Sequence, residues 1–323
     1  PGRGQAAENA VIYGPPAVQV MDLALAEDTV AAHAPWIAAS ASPWPGELAL
    51  YRRKGPAAFA YTGLVDTAAT MGVLVAPLAA GPLGCLDRGS VATVRLGSGA
   101  VFSKGMDELL QGANLAAVGS MATGWEILQF ASAELIDVQT WRLSLMLRGQ
   151  FGSAPEMCVV RPAGERFVLI DEALVQPPLT LAQAGLEQTW RLVPAGGDLG
   201  RAQTDVTLRC VMRGLRPLSP VRLRAVRLGG DVLLSWIRRT RIGGDSWEAA
   251  DVPLGEEREA YLIEVLSGTQ VRRSATVGES QWLYRAADIA ADLGPGTRDF
   301  TLRVAQLSTS FGAGAALQET IHV

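Results

Sequence analysis

Histidine and cysteine are scarce in this 323-residue chain: there are two of the first and three of the second. His33 lies in a proline-flanked stretch and His322 is the penultimate residue, so a Ser-His-Asp or Cys-His site would need one of them held rigidly by a third group. Both read more simply as exposed loop histidines. Cys85, Cys158 and Cys210 are odd in number and widely spaced, with no Cys-x-x-Cys. That pattern argues against a zinc ribbon and against a full disulfide framework, and leaves buried free thiols as the expectation.

Other absences narrow the function further. No Gly-x-Ser-x-Gly elbow, His-Glu-x-x-His or Walker loop occurs. Gly97-Ser-Gly99 and Gly312-Ala-Gly314 lack the third glycine and the βα setting of a dinucleotide fingerprint, and read as turns. No run of eighteen apolar residues exists, and Pro1-Gly-Arg-Gly lacks the apolar centre of a secretory signal, so a soluble chain without a membrane span is expected. Because it starts at proline, the chain is expected to be a piece of a larger polypeptide, with part of the function outside it. A net charge of −4 and a pI near 5.4 provide no basic field to hold nucleic acid or an anionic membrane.

Metal and cofactor sites are not expected either. Asp245, Glu248, Asp251, Glu256, Glu257 and Glu259 offer oxygen ligands, but their spacing matches no EF-hand. Arg238, Arg239, Arg241 and Arg258 balance them as a solvated charged face. A glycosidase pair can be drawn from the thirty-two acids of any such sequence, and nothing singles one out here.

What is present is β patterning. With 49% hydrophobic residues, 19% charged and 35 glycines, the chain has the composition of a folded, turn-rich protein. Val232, Leu234 and Trp236 alternate along a strand, which makes Trp236 a buried anchor. Gly229-Gly-Asp231 marks a turn back to Val221, Leu223 and Ala225. Residues 260–266 and 270–277 read as a hairpin, with further strands expected over Trp282–Ile289, Phe300–Leu307 and Gln318–Val323. About seven short strands over ~100 residues is the pattern of an immunoglobulin-like sandwich.

Earlier in the chain, strands are expected over Glu47–Arg52, Phe59–Tyr61, Trp125–Phe130, Thr140–Leu147, Arg166–Ile170 and Asp205–Val211. Gly97-Ser-Gly99 is expected to join Val91–Leu96 to Ala100–Phe102 as a hairpin, and Met106–Leu110 to make a single helical turn. The fold class is therefore all-β. The organisation is an extended lead-in over 1–35, a β-rich part over 36–215, as one domain or as two subdomains meeting near 85, and a sandwich over 216–323.

Two resemblances arise from these residues. Pro220-Val221, Leu234-Ser-Trp236, Tyr261–Val265, Phe300–Val304 and Gly312-Ala-Gly314 resemble a fibronectin type III domain, with Phe300 where that family usually carries a tyrosine. Trp44-Pro-Gly46, Leu50-Tyr51, Leu109-Leu110, Gly112-Ala-Asn114, Trp125–Phe130, Leu143–Gly152 and Trp236–Trp247, in that order, are similar to the C-terminal part of phage tail-tip proteins. The resemblance is greatest to the large baseplate hub protein of alphaproteobacterial gene transfer agents. It implies a homotrimer within the tail tip of a phage-like particle, made in the bacterial cytoplasm and released with the particle. Other baseplate proteins, and a host surface glycan or receptor, would be its partners.

The expected function is structural rather than enzymatic: assembly and attachment to, or penetration of, the host envelope. The loop after Trp236 is the candidate contact surface, since Arg238, Arg239, Arg241, Asp245 and Trp247 combine fork donors, a carboxylate and a loop aromatic. Trp44, beside two prolines, joins them as a ring that could stack or pack. The alternative is a carbohydrate-binding accessory module of a cell-wall hydrolase, for which Trp44 and Trp247 would be the sugar platforms.

Overall fold

The computed structural model describes residues 13–25, 31–157, 160–196, 202–244, 252–296 and 299–322. The chain is all-β, with three short α-helices among the described residues. It divides into two compact units, one holding the first thirteen strands and the other, which includes Met212–Val323, the last seven.

The first unit contains β1 (Ala17–Met21), β2 (Trp36–Ser40), β3 (Leu48–Arg53), β4 (Ala60–Val65), β5 (Met71–Leu74), β6 (Leu86–Asp87), β7 (Ala92–Ser98), β8 (Leu115–Ser120), β9 (Gly124–Asp137), β10 (Thr140–Leu147), β11 (Arg166–Leu169), β12 (Glu187–Pro194) and β13 (Thr204–Arg209). Six of these close into an antiparallel barrel in the order β10-β7-β5-β11-β8-β9, with β9 pairing back onto β10. The short β6 shares the edge of β10, with Met146 opposite Asp87. Closure leaves no free edge among those six strands, and their inward side chains fill the interior. Leu74, Val94, Leu96, Val118, Leu128, Phe130, Leu143, Met146 and Phe167 form that core.

A second sheet, β13-β12-β3-β4, packs with the β1–β2 pair over Val18, Val20, Ile37, Leu48, Leu50, Trp190 and Leu192. The stretch expected as an extended lead-in therefore contributes core residues. It is tied down by Thr204 Oγ1 donating to the Pro16 carbonyl (2.6 Å) and Val211 N–H donating to Asp22 Oδ2 (2.6 Å).

The second unit is a sandwich of β14 (Val221–Leu228), β15 (Asp231–Ile237), β16 (Tyr261–Ser267), β17 (Gln270–Val277), β18 (Gln281–Tyr284), β19 (Asp299–Ser308) and β20 (Gly312–His322). Its sheets run β14-β15-β18 and β17-β16-β19-β20, all antiparallel. Period-2 alternation puts Val232, Leu234 and Trp236 inward, against Tyr261, Ile263, Val265, Phe300, Leu302 and Val304. Trp236 meets Tyr261 edge to face, with centroids 5.1 Å apart.

Several local expectations are corrected. Ala100–Phe102 is not a strand; β7 pairs with β5 and β10 instead. The chain leaves β7 at Gly99, whose φ of 73° and crowding against Thr70 suit glycine alone. Strand character after Trp282 stops at Tyr284, and Ala286–Leu293 is a helix. Ile289 and Leu293 recur at helical spacing and pack on the core, while Asp231 Oδ1 accepts from the first helical N–H (2.8 Å). Gly312–Gly314 belongs to β20, where the Pro217 carbonyl would lie 2.6 Å from a Cβ on Gly314. Of the cysteines, Cys210 is buried but Cys85 is exposed, and Cys158 lies outside the described residues. His322 ends β20 and faces Asp299 at 3.0 Å; it is not a loop residue.

Candidate interaction loop and a buried ion network

The loop that follows β15 is built around its arginines, and their donors are used within the unit. Arg238 donates to the carbonyls of Val252 (2.7 Å) and Pro253 (2.9 Å). Arg239 Nε donates to the Ser219 carbonyl (2.7 Å), and burial holds its pKa below the ordinary arginine value. Arg241 pairs with Glu256 (3.1 Å) and also donates to the carbonyls of Gly214 (3.1 Å) and Gly255 (3.3 Å). Three guanidinium groups thus satisfy loop carbonyls that lack strand partners. Asp245 and Trp247, with Glu248 and Asp251, lie outside the described residues.

Further along, Glu259 accepts from the buried Tyr261 hydroxyl (2.8 Å). Burial first, then that carboxylate, pushes the phenol well above its ordinary pKa. Glu256, Glu257 and Arg258 line a cleft of about 150 Å³ together with Leu307, Ser308 and Thr309. Trp44 belongs to the first unit. Its ring is half-buried against the core around Leu48 and Trp190, and its Nε1 donates to the Gly46 carbonyl (3.0 Å).

The feature that sequence patterning missed lies at one end of the barrel. Leu128 and Phe130 point into the core, so Glu126, in the same phase of β9, points the same way. It is 0% exposed, and Arg148 and Arg161 are each 1% exposed. Arg148 grips the carboxylate with Nε (2.5 Å) and Nη2 (2.9 Å), while Nη2 also reaches the Ala79 carbonyl (3.1 Å). Arg161 lies 4.0 Å from Glu126 and 3.3 Å from Glu165, and donates to the carbonyls of Gly124 (2.8 Å) and Glu156 (2.7 Å). Asp87 completes the group, 3.5 Å from Arg148. Burial pushes the Asp87 carboxyl up, but hydrogen bonds from Ser90 and Gly89 and the Arg148 charge outweigh it and hold it below the usual range.

The backbone sets this up through an irregularity. On β10 the inward residues are Leu143 and then Met146; Leu145 between them has a φ of 56°. Opposite them, Ala133 and Phe130 face the core, so both strands switch inward phase at one level while their register is kept. The switch is what turns Arg148 inward. Glu126 and Arg148 both lie in the motifs Trp125–Phe130 and Leu143–Gly152, but charge at a strand position reads as solvent-facing until the phase is known.

Among the described residues no group of three or more His, Cys, Asp or Glu side chains is placed to hold a metal ion, and no helix is long and apolar enough to cross a membrane. No curated protein matches the chain. Among solved structures, the extracellular region of rat CD45, domains d3-d4, aligns with 10% identity and a TM-score of 0.25. That alignment covers 43% of this chain and 65% of that one, so it spans less than two thirds of its length. Residues 69–168, which run from just before β5 into β11 and so contain the barrel, match the model of a family described as Rcc01698-like, C-terminal, consistent with a protein associated with gene transfer agents.

Proposed function

We propose that the chain is a non-enzymatic structural component of the tail tip or baseplate of a phage-like particle of the gene-transfer-agent kind. It contributes there to assembly and to attachment to, or penetration of, the host envelope. The observation that carries this is the coincidence of the matched stretch, residues 69–168, with the closed barrel and its buried ion network. Trp125–Phe130 and Leu143–Gly152, which underlie the sequence resemblance, lie inside that stretch. A closed barrel and a two-sheet sandwich are rigid scaffolds that present loops, a form suited to holding partners in fixed register. In this reading the chain forms a homotrimer, the second unit is a fibronectin type III-like domain, and the protein leaves the cell with the particle.

The test is cryo-EM of particles from a producing strain, with and without the coding region for residues 1–323. Three copies of the barrel at the tail tip, lost on deletion, are the expected result. Complete tips in the deletion strain would overturn the proposal.

A further inference from the structure

The outer face of the sheet β13-β12-β3-β4 carries a cluster that neither the barrel nor the arginine loop uses. Leu48, Leu50, Trp190 and Leu192 go into the core, so Tyr51, Arg53, Thr189 and Arg191 stand on the opposite face by the alternation of a strand. Register sets Arg191 opposite both Tyr51 and Asp205, and Thr189 opposite both Arg53 and Thr207. A one-residue shift between Leu50↔Gly63 and Tyr51↔Tyr61 bulges β4 at Thr62. Tyr61 therefore stands beside Tyr51, where an unshifted register would place Thr62. One line of side chains, Asp205, Arg191, Tyr51 and Tyr61, crosses all four strands.

The chemistry of this line is specific. Tyr51 and Tyr61 meet edge to face with centroids 5.7 Å apart, and Tyr61 is 59% exposed. Arg53 and Arg191 lie over the Phe59 ring at 4.6 and 4.0 Å, which fixes two guanidinium groups side by side. Arg191 is neutralised by Asp205 through two 2.7 Å hydrogen bonds. Arg53 feels the Asp205 charge only at longer range: its buried Nε has no acceptor, and no carboxylate among the described residues forms an ion pair with it. Thr189 and Thr207 share a hydrogen bond of 2.8 Å next to it.

We propose that this face binds an acidic glycan. A sugar ring lies on the exposed Tyr61, its carboxylate takes Arg53, and its hydroxyls exchange hydrogen bonds with the exposed Asp205 and Thr207. Rigid amphipathic rings give contact area at small entropy cost, a guanidinium matches a carboxylate in geometry and charge, and a few fixed polar groups set orientation. The inference goes beyond the particle reading and does not depend on it.

Isothermal titration of the purified 323-residue chain with oligogalacturonate tests it, with neutral dextran, polyglutamate and single-stranded DNA as comparisons. The expected result is saturable, salt-weakened binding of oligogalacturonate alone. Arg53→Gln and Tyr61→Ala should each weaken it about tenfold or more, as for loss of a charge-assisted hydrogen bond or a stacked ring, with melting unchanged for Tyr61→Ala. Absence of binding, equal binding of any comparison polymer, or unchanged affinity in both variants would overturn the proposal. If Arg53→Gln fails to fold, Tyr61→Ala decides alone.

Discussion

Arg148 and Glu126 form a two-point ion pair, 2.5 and 2.9 Å, at the end of a barrel whose core cluster is aliphatic and aromatic. Both side chains are shut off from solvent. Removing one member strips its partner of the two short charge-assisted hydrogen bonds and leaves it only the longer contacts, Arg148 to Asp87 (3.5 Å) or Glu126 to Arg161 (4.0 Å), so Glu126→Gln or Arg148→Met should cost about 3–5 kcal/mol. Replacing both with apolar residues should recover a large part of that loss. Denaturant unfolding of the two single variants and the double variant measures the coupling.

Gly119 is held to glycine by the same network. Its φ is 149°, and a Cβ there would lie 2.1 Å from the Gly124 carbonyl and 2.9 Å from Arg161. Gly119→Ala should destabilise the barrel by at least ~1–3 kcal/mol through strain and overpacking. Gly164, also at positive φ but with open space around it, is the control, since Gly164→Ala adds strain without a collision.

Trp236 is buried against Tyr261 in the second unit. Trp236→Ala should cost ~3–5 kcal/mol, the range for a large aromatic removed from a core. Hydrogen exchange should show lost protection in β15, β16 and β19, with the barrel strands unaffected. Unchanged protection would refute the anchor role.

The loop arginines are expected to act on stability. Arg241 serves Glu256 and two carbonyls, so Arg241→Ala should lower stability by roughly 1–3 kcal/mol, reduced to the extent that water replaces its bonds. Arg224, exposed on β14, should tolerate the same change within about 0.5 kcal/mol. Thermal melting of the two variants compares them directly.

Acid should loosen the helix Ala286–Leu293. Asp292 accepts from Arg273 and from the Tyr284 hydroxyl (2.7 Å). Burial raises its pKa, but these two partners outweigh it and hold the carboxyl below its ordinary 3.8. A depressed folded-state pKa gives stabilisation that is complete above about pH 4 and is lost as pH falls through the folded value. Asp292→Asn should therefore be less stable than the parent at neutral pH and should lose less on acidification. Chemical denaturation at pH 7 and across pH 2–4 tests both halves; an equal acid slope in the two proteins would show that other carboxylates govern it.

The sequence by itself determined the all-β class, most strand positions and the inward phase of β15, because alternation of Val232, Leu234 and Trp236 is a local property of a strand. It also held the motifs around Glu126 and Arg148. Their meeting was decided only by the tertiary structure: closure of β9 onto β10 and the phase switch at Leu145 convert two ordinary charged positions into a buried pair. The same holds for Tyr51 and Tyr61, which a bulge at Thr62 sets side by side, and for the loop arginines, whose acceptors are carbonyls that no side-chain pattern announces. The helix after Tyr284 was hidden for a related reason, since its two-residue apolar stripe gains meaning only against the sandwich core. Local periodicity fixes which way a side chain faces within one strand. Which charges and rings then share a surface depends on register and closure between strands far apart in the chain, and those are set by the packing of the whole unit.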